Sequence, residues 1–157
     1  MDRRSACLAL VLCLPLVACS QSLATPATGT PIPDLSSLHV KPGLWRHMMM
    51  INESQGSGDE CDAGRPLIPP RPGDCSKYDA VRATNGRILF ESVCKSDSVT
   101  TTTRSSYEGN FNSAFANDVV IDVEQPGQLS ERTTGHETYE YLGSCPAEMT
   151  NAARRRH

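Results

Sequence analysis

The chain has 157 residues, 38% hydrophobic and 5% aromatic, with a formal net charge of −3. That length suits one domain, and the acidic balance lacks the basic stripe of a nucleic-acid binder, so neither a second domain nor a nucleic-acid partner is expected.

The chain opens on a targeting signal. Met1-Asp2-Arg3-Arg4 gives a positive start, and residues 6–16 are almost wholly apolar. A run that short falls below the roughly 20 apolar residues a spanning helix needs, and it reads as the core of a secretory signal peptide. Leu16-Val17-Ala18-Cys19 then looks like a bacterial lipobox, in which the cysteine is lipidated and the chain is cut on its amino side. Residues 1–18 are therefore expected to be removed, leaving Cys19 as a lipid (palmitate-bearing) anchor. Ser20, rather than Asp, after the cysteine points to the outer membrane of a Gram-negative bacterium. Residues 19–42 read as the lipidated cysteine plus a Pro/Thr/Ser-rich tether, broken by Pro26, Pro31 and Pro33. Residues 147–157 read as a disordered basic tail ending in Arg154-Arg155-Arg156-His157.

The body expected between these segments, residues 43–146, carries nine Lys/Arg against fifteen Asp/Glu, a net −6. Its four cysteines, Cys61, Cys75, Cys94 and Cys145, are an even number in an exported chain, which implies disulfides rather than thiols. No Cys-x-x-Cys spacing favours zinc. Three pairings are open, and Cys75–Cys94 with Cys61–Cys145 is preferred. The first two flank a hairpin, and the others tie an early loop to the end of the last strand.

In chain order, residues 44–51 form a first candidate strand, followed by a polar loop through Ser54-Gln55-Gly56-Ser57-Gly58. Residues 65–74 carry Pro66, Pro69, Pro70 and Pro72 and should be extended and irregular. Strands over 78–84 and 87–93 flank Asn85-Gly86, a hairpin signal. A two-residue turn there sets Val81 opposite Phe90 and Ala83 opposite Ile88, and leaves Cys75 and Cys94 diagonal, so a bulge or bend is needed to join them. Val99-Thr100-Thr101-Thr102-Thr103 is β-branched throughout and favours a strand. Glu108-Gly109-Asn110 is a turn. Phe111, Phe115, Val119, Ile121 and Val123 share one parity, with Asn117-Asp118 a candidate interruption. Gln125-Pro126-Gly127-Gln128 is a turn before a last strand over 129–142. The pattern predicts an all-β, disulfide-stapled antiparallel meander, forming a curved sheet or a small barrel.

Several motifs together resemble a known family. Lys41-Pro42-Gly43-Leu44-Trp45 is similar to the Pro-Gly-Leu-Trp opening of bacterial domain-of-unknown-function family 3617, and Cys75 to Cys94 to its Cys-strand-turn-strand-Cys hairpin. Tyr107-Glu108-Gly109-Asn110 resembles its Tyr-x-Gly-Asp turn, with Asn for Asp, and Leu142-Gly143-Ser144-Cys145 its closing Leu-Gly-x-Cys. The resemblance implies an exported or lipoprotein β-rich body and brings no activity or catalytic residue with it.

Chemistry is sparse. His47-Met48-Met49-Met50 is a weak copper candidate: thioethers suit Cu(I), but Met48 and Met50 share one strand face while His47 takes the other. Gly135-His136-Glu137 offers an imidazole and a carboxylate that face opposite ways on a strand. Trp45 reads as a core anchor. No catalytic residue and no cofactor is expected, and the proline-rich loop is the better contact surface. The sequence thus predicts a monomeric, non-enzymatic binding module of the periplasm, held to the membrane through Cys19, with an envelope protein as candidate partner. The alternative is a small-ligand or copper carrier with a barrel interior.

Overall fold

The computed structural model describes residues 28–149. The expected signal peptide, the lipidation site Cys19 and the basic end of the tail lie outside them. The described residues form β1 (Thr30–Pro31), a 3-10 turn (Leu35–Ser37), β2 (Gly43–Ile51), β3 (Ser54–Asp62), β4 (Cys75–Arg82), β5 (Ile88–Ser96), β6 (Val99–Asn110), β7 (Ala114–Glu124) and β8 (Glu131–Gly143). All eight strands pair antiparallel in one open curved sheet, ordered β1-β4-β5-β6-β7-β8-β2-β3. The meander from β4 to β8 follows chain order, and the β2–β3 hairpin docks beside β8. The sheet does not close, since β3 forms one edge and β1 the other.

Alternation sorts the side chains onto two faces. On the inner face Trp45, Ala80, Ile88, Phe90, Tyr107 and Phe115 are buried together with Val40, Leu67 and Ile68. Trp45 anchors this core as expected: it meets Phe115 and Tyr141 edge-on at 5.6 and 5.3 Å, and its Nε1 donates to the Lys41 carbonyl at 2.8 Å. On the outer face the charges Lys77, Glu91, Arg104, Asp122 and Arg132 alternate in sign across β4 to β8, linked by ion pairs of 2.5–3.2 Å.

Joining β3 at one edge to β4 near the other takes residues 63–74 across the inner face. This is the proline-rich segment, and it is extended as its prolines require. It pairs with the chain before β2: Val40 N–H donates to the Arg65 carbonyl at 3.1 Å and Leu67 N–H to the Leu38 carbonyl at 2.8 Å. Leu67 and Ile68 point down into the core. We call this segment the strap.

Several boundaries differ from the sequence reading. Residues 30–42, read as tether, dock on the body: β1 pairs with β4, and Ile32, Leu35 and Leu38 pack against the core that buries Val40. Their apolar side chains are spaced widely among Pro and Ser, which hides them from a compositional reading. The polar run from Ser54 is strand β3, because its backbone can pair with β2 whatever its side chains are. A two-residue loop joins them, with Asn52 at φ 51. The β4–β5 register is shifted by one, with Ala80 opposite Phe90 and Arg82 opposite Ile88. Here the loop is three residues long: Gly86 N–H donates to the Ala83 carbonyl, Ala83 N–H to the Arg87 carbonyl, and Gly86 sits at φ 84. The bulge between Cys75 and Lys77 then sets Cys75 directly opposite Cys94. Both preferred disulfides are present, Cys75–Cys94 with Cα atoms 3.9 Å apart and Cys61–Cys145 with Cα atoms 5.6 Å apart. Strand β7 runs through Asn117-Asp118 without a break.

Candidate functional site

Between the strap and the inner face lies a cavity of about 290 Å³. Val40, Pro66, Leu67 and Pro69 wall it from above, and Tyr107, Phe115, Asn117, Glu137 and Tyr139 line it from the sheet. The lower set follows from register. Asn117 stands opposite Tyr107 on β6 and Glu137 on β8, while Phe115 stands opposite Tyr139. These side chains therefore share one face across three neighbouring strands.

The polar groups have a fixed order. Asn117 Nδ2 donates to Glu137 Oε2 at 3.2 Å, and the Tyr139 hydroxyl donates to the same oxygen at 3.2 Å. A carboxylate only accepts, so the amide must turn its NH₂ toward Glu137 and its carbonyl away. That carbonyl oxygen, Asn117 Oδ1, is buried and has no hydrogen-bond partner, in a residue only 7% exposed. A buried acceptor left unpaired costs about 1–3 kcal/mol, so this pocket holds an unmet demand for a donor. The Tyr139 hydroxyl is pushed up to about 12, first by burial and then by the charge of Glu137, so it stays a donor at neutral pH. Burial also raises Tyr107. Phe115 and Tyr139 stack face to face at 4.4 Å and 9°.

Arg65 closes the roof. Its guanidinium lies 5.6 Å from the centre of the Tyr139 ring, and it is held by Asp62 at 2.8 Å and Glu60 at 3.2 Å. Asp62 is buried, and its Oδ1 accepts from the Gly64 and Arg65 backbone N–H groups, which turns the chain into the strap.

A second cavity, of about 420 Å³, lies mainly on the outer face between Val81, Leu89 and Val120. Most of its charged lining groups are engaged, Lys77 and Arg104 with Glu91 and Asp118 with His136, while Asp79 makes no ion pair. Its buried unpaired group is the Ser106 hydroxyl, a single rotor. The strap pocket is the stronger candidate because its unmet acceptor is held rigidly beside a carboxylate.

Of the residues singled out from sequence, His47 is on the inner face, with its ring tilted against Tyr139 at 6.1 Å and Nδ1 buried without a partner. Met48 and Met50 are half-exposed on the outer face, so the strand separates them from His47. Met50 lies instead opposite His136, whose Nδ1 is 2.6 Å from Asp118 Oδ1. Among the described residues no three His, Cys, Asp or Glu side chains gather as a metal site. His136 and Glu137 face opposite ways, as read from sequence. Sequence reasoning missed Asn117 as a site residue: its inner-face position between Phe115 and Val119 read as a strand interruption, and only the register sets it between Tyr107 and Glu137. The strap does carry the pocket, by its underside, while Pro69, Pro70 and Arg71 are exposed.

No helix among the described residues is long and apolar enough to cross a membrane. No curated protein and no solved structure matches the chain. A family model described as a protein of unknown function, DUF3617, matches residues 40–145. That span runs from the buried Val40 to Cys145, just beyond the last strand, so the chain belongs to the DUF3617 family.

Proposed function

We propose that this chain is a lipid-anchored envelope protein, held at the outer membrane through Cys19, and that its body is a non-enzymatic binding module whose ligand enters the strap pocket. The observation that carries the reading is the buried, unpartnered Asn117 Oδ1 beside Glu137, in a cavity that Val40, Pro66, Leu67, Pro69 and Phe115 line together with Arg65 and two tyrosines. A few convergent polar groups in an apolar cleft is the common form of a small-molecule site. An amide, a carboxylate and two phenols suit recognition, whereas catalysis would need a nucleophile positioned beside a base.

Native mass spectrometry of the full chain, purified in detergent from an oxidising envelope, tests this. The expected result is extra mass beyond the lipid and the two disulfides, lost in Asn117→Leu. A wild-type chain as bare as that variant would remove the pocket as the binding site. In the same preparation Cys19→Ser should move the protein from the membrane to the soluble fraction, and retention on the membrane would remove the anchor. The copper alternative now rests on Met50 and His136, with Asp118 orienting the imidazole as metal-bound histidines require. Competition for Cu(I) with a chromogenic chelator should then weaken in Met50→Leu, and an unchanged titration would end that reading.

A further inference from the structure

Resting on the pocket as the binding site, we infer that its ligand is a small organic cation bearing a primary ammonium group. The ammonium would bridge Asn117 Oδ1 and Glu137, with its apolar part against the strap.

Three independent features select that chemistry. The unmet groups are acceptors. Asn117 Oδ1 has no donor, and both donors to Glu137, Asn117 Nδ2 and the Tyr139 hydroxyl, use the one oxygen Oε2. A ligand hydroxyl could satisfy one such group, whereas an ammonium has three N–H donors and can serve both. The charge is also one-sided. Glu137 and Arg65 are the charged residues that line the cavity, and the guanidinium of Arg65 is already paired with Glu60 and Asp62. The carboxylate of Glu137 keeps hydrogen bonds but no ion pair of its own among the described residues, and the body as a whole is acidic. Finally, the floor is aromatic: Tyr107, Phe115 and Tyr139 line the cavity, and the Tyr139 ring already holds one cation, Arg65, 5.6 Å from its centre. An anionic ligand would meet Glu137 and an acceptor carbonyl together. A metal ion would find one carboxylate, an amide oxygen and two phenols, too few charged ligands to strip its water. The walls formed by Val40, Pro66, Leu67 and Pro69 suit an apolar body of modest size, and about 290 Å³ is room for one ring.

Three probes of one shape and different charge decide the matter: benzylammonium, benzyl alcohol and benzoate. Each is titrated against the full, disulfide-intact chain in detergent micelles and followed by amide and side-chain NMR. Benzylammonium is expected to shift the Asn117 side-chain NH₂ and the backbone of residues 115–117 and 137–139, with affinity at least about tenfold above benzyl alcohol. Benzoate is expected to leave them unmoved. Glu137→Gln, which keeps shape and removes charge, should bring the benzylammonium and benzyl alcohol affinities together, and should it fail to fold, the three wild-type titrations decide alone. Benzyl alcohol or benzoate binding as tightly as benzylammonium would overturn the cation while leaving the pocket a binding site. No pocket shift with any probe would overturn the cation and the pocket together.

Discussion

Gly43 shows how closely the opening motif is built. Its φ is 146°, and a Cβ there would collide with the Gly143 carbonyl and the Tyr141 ring. Glycine lets β2 approach the end of β8 and puts Trp45 beside Tyr141. Gly43→Ala adds both backbone strain and a backbone clash, and we expect a loss of about 2–4 kcal/mol, read as a lower urea midpoint with an unchanged slope. Gly109 is held in the same way, at φ 117 with its missing Cβ facing the Ala114 carbonyl at 2.6 Å. Next to it Asn110 Oδ1 accepts from Asn112 N–H, a role an Asp could fill equally. These residues were legible through the motifs they share with the family, although the neighbours of Gly43 lie at the far end of the body. Asn117 was not. A polar residue in an apolar alternation reads as a broken strand until the opposing residues, Tyr107 and Glu137, are known to lie beside it.

Between elements, register is where sequence and structure part. A loop one residue longer than Asn85-Gly86 moves every β4 side chain to the opposite face, which is why Ala80 rather than Val81 meets Phe90. The cysteines compensate through the bulge at Ser76, and their pairing was legible even though the register was not. Each bridge restricts the unfolded chain according to the loop it closes. Separations of 19 and 84 residues lead us to expect about 3 kcal/mol lost in Cys75→Ser/Cys94→Ser and between 4 and 5 kcal/mol, roughly, in Cys61→Ser/Cys145→Ser. Urea unfolding of the two double variants orders them. Strand β3 and the docking of residues 30–42 escaped the sequence because edge pairing uses backbone, and backbone leaves no compositional trace.

For the molecule as a whole, the outer face makes stability acid-sensitive. Arg132 and then Arg104 hold the Asp122 carboxyl below its ordinary 3.8, Lys77 lowers Glu91 from 4.5, and Arg46 lowers Asp59. Each is a stronger acid folded than unfolded, so its contribution is full above these ordinary values and disappears as pH falls through the lowered ones. Melting temperature should be flat from pH 7 to 5 and drop by several degrees toward pH 3, and high salt should shrink that drop because the pairs are exposed. An all-β sheet was legible from turn spacing, but which face would carry a cavity depended on where the strap lands. Its two ends are each covalently secured: Cys61, just before Asp62, to Cys145 beyond β8, and Cys75, just after Asp74, to Cys94 in β5. The roof of the pocket is thus a bridge on two piers and not a hinged flap. On the proposed reading a ligand would come and go through the side of the cavity with the roof in place, and reducing either disulfide would free one end of that roof.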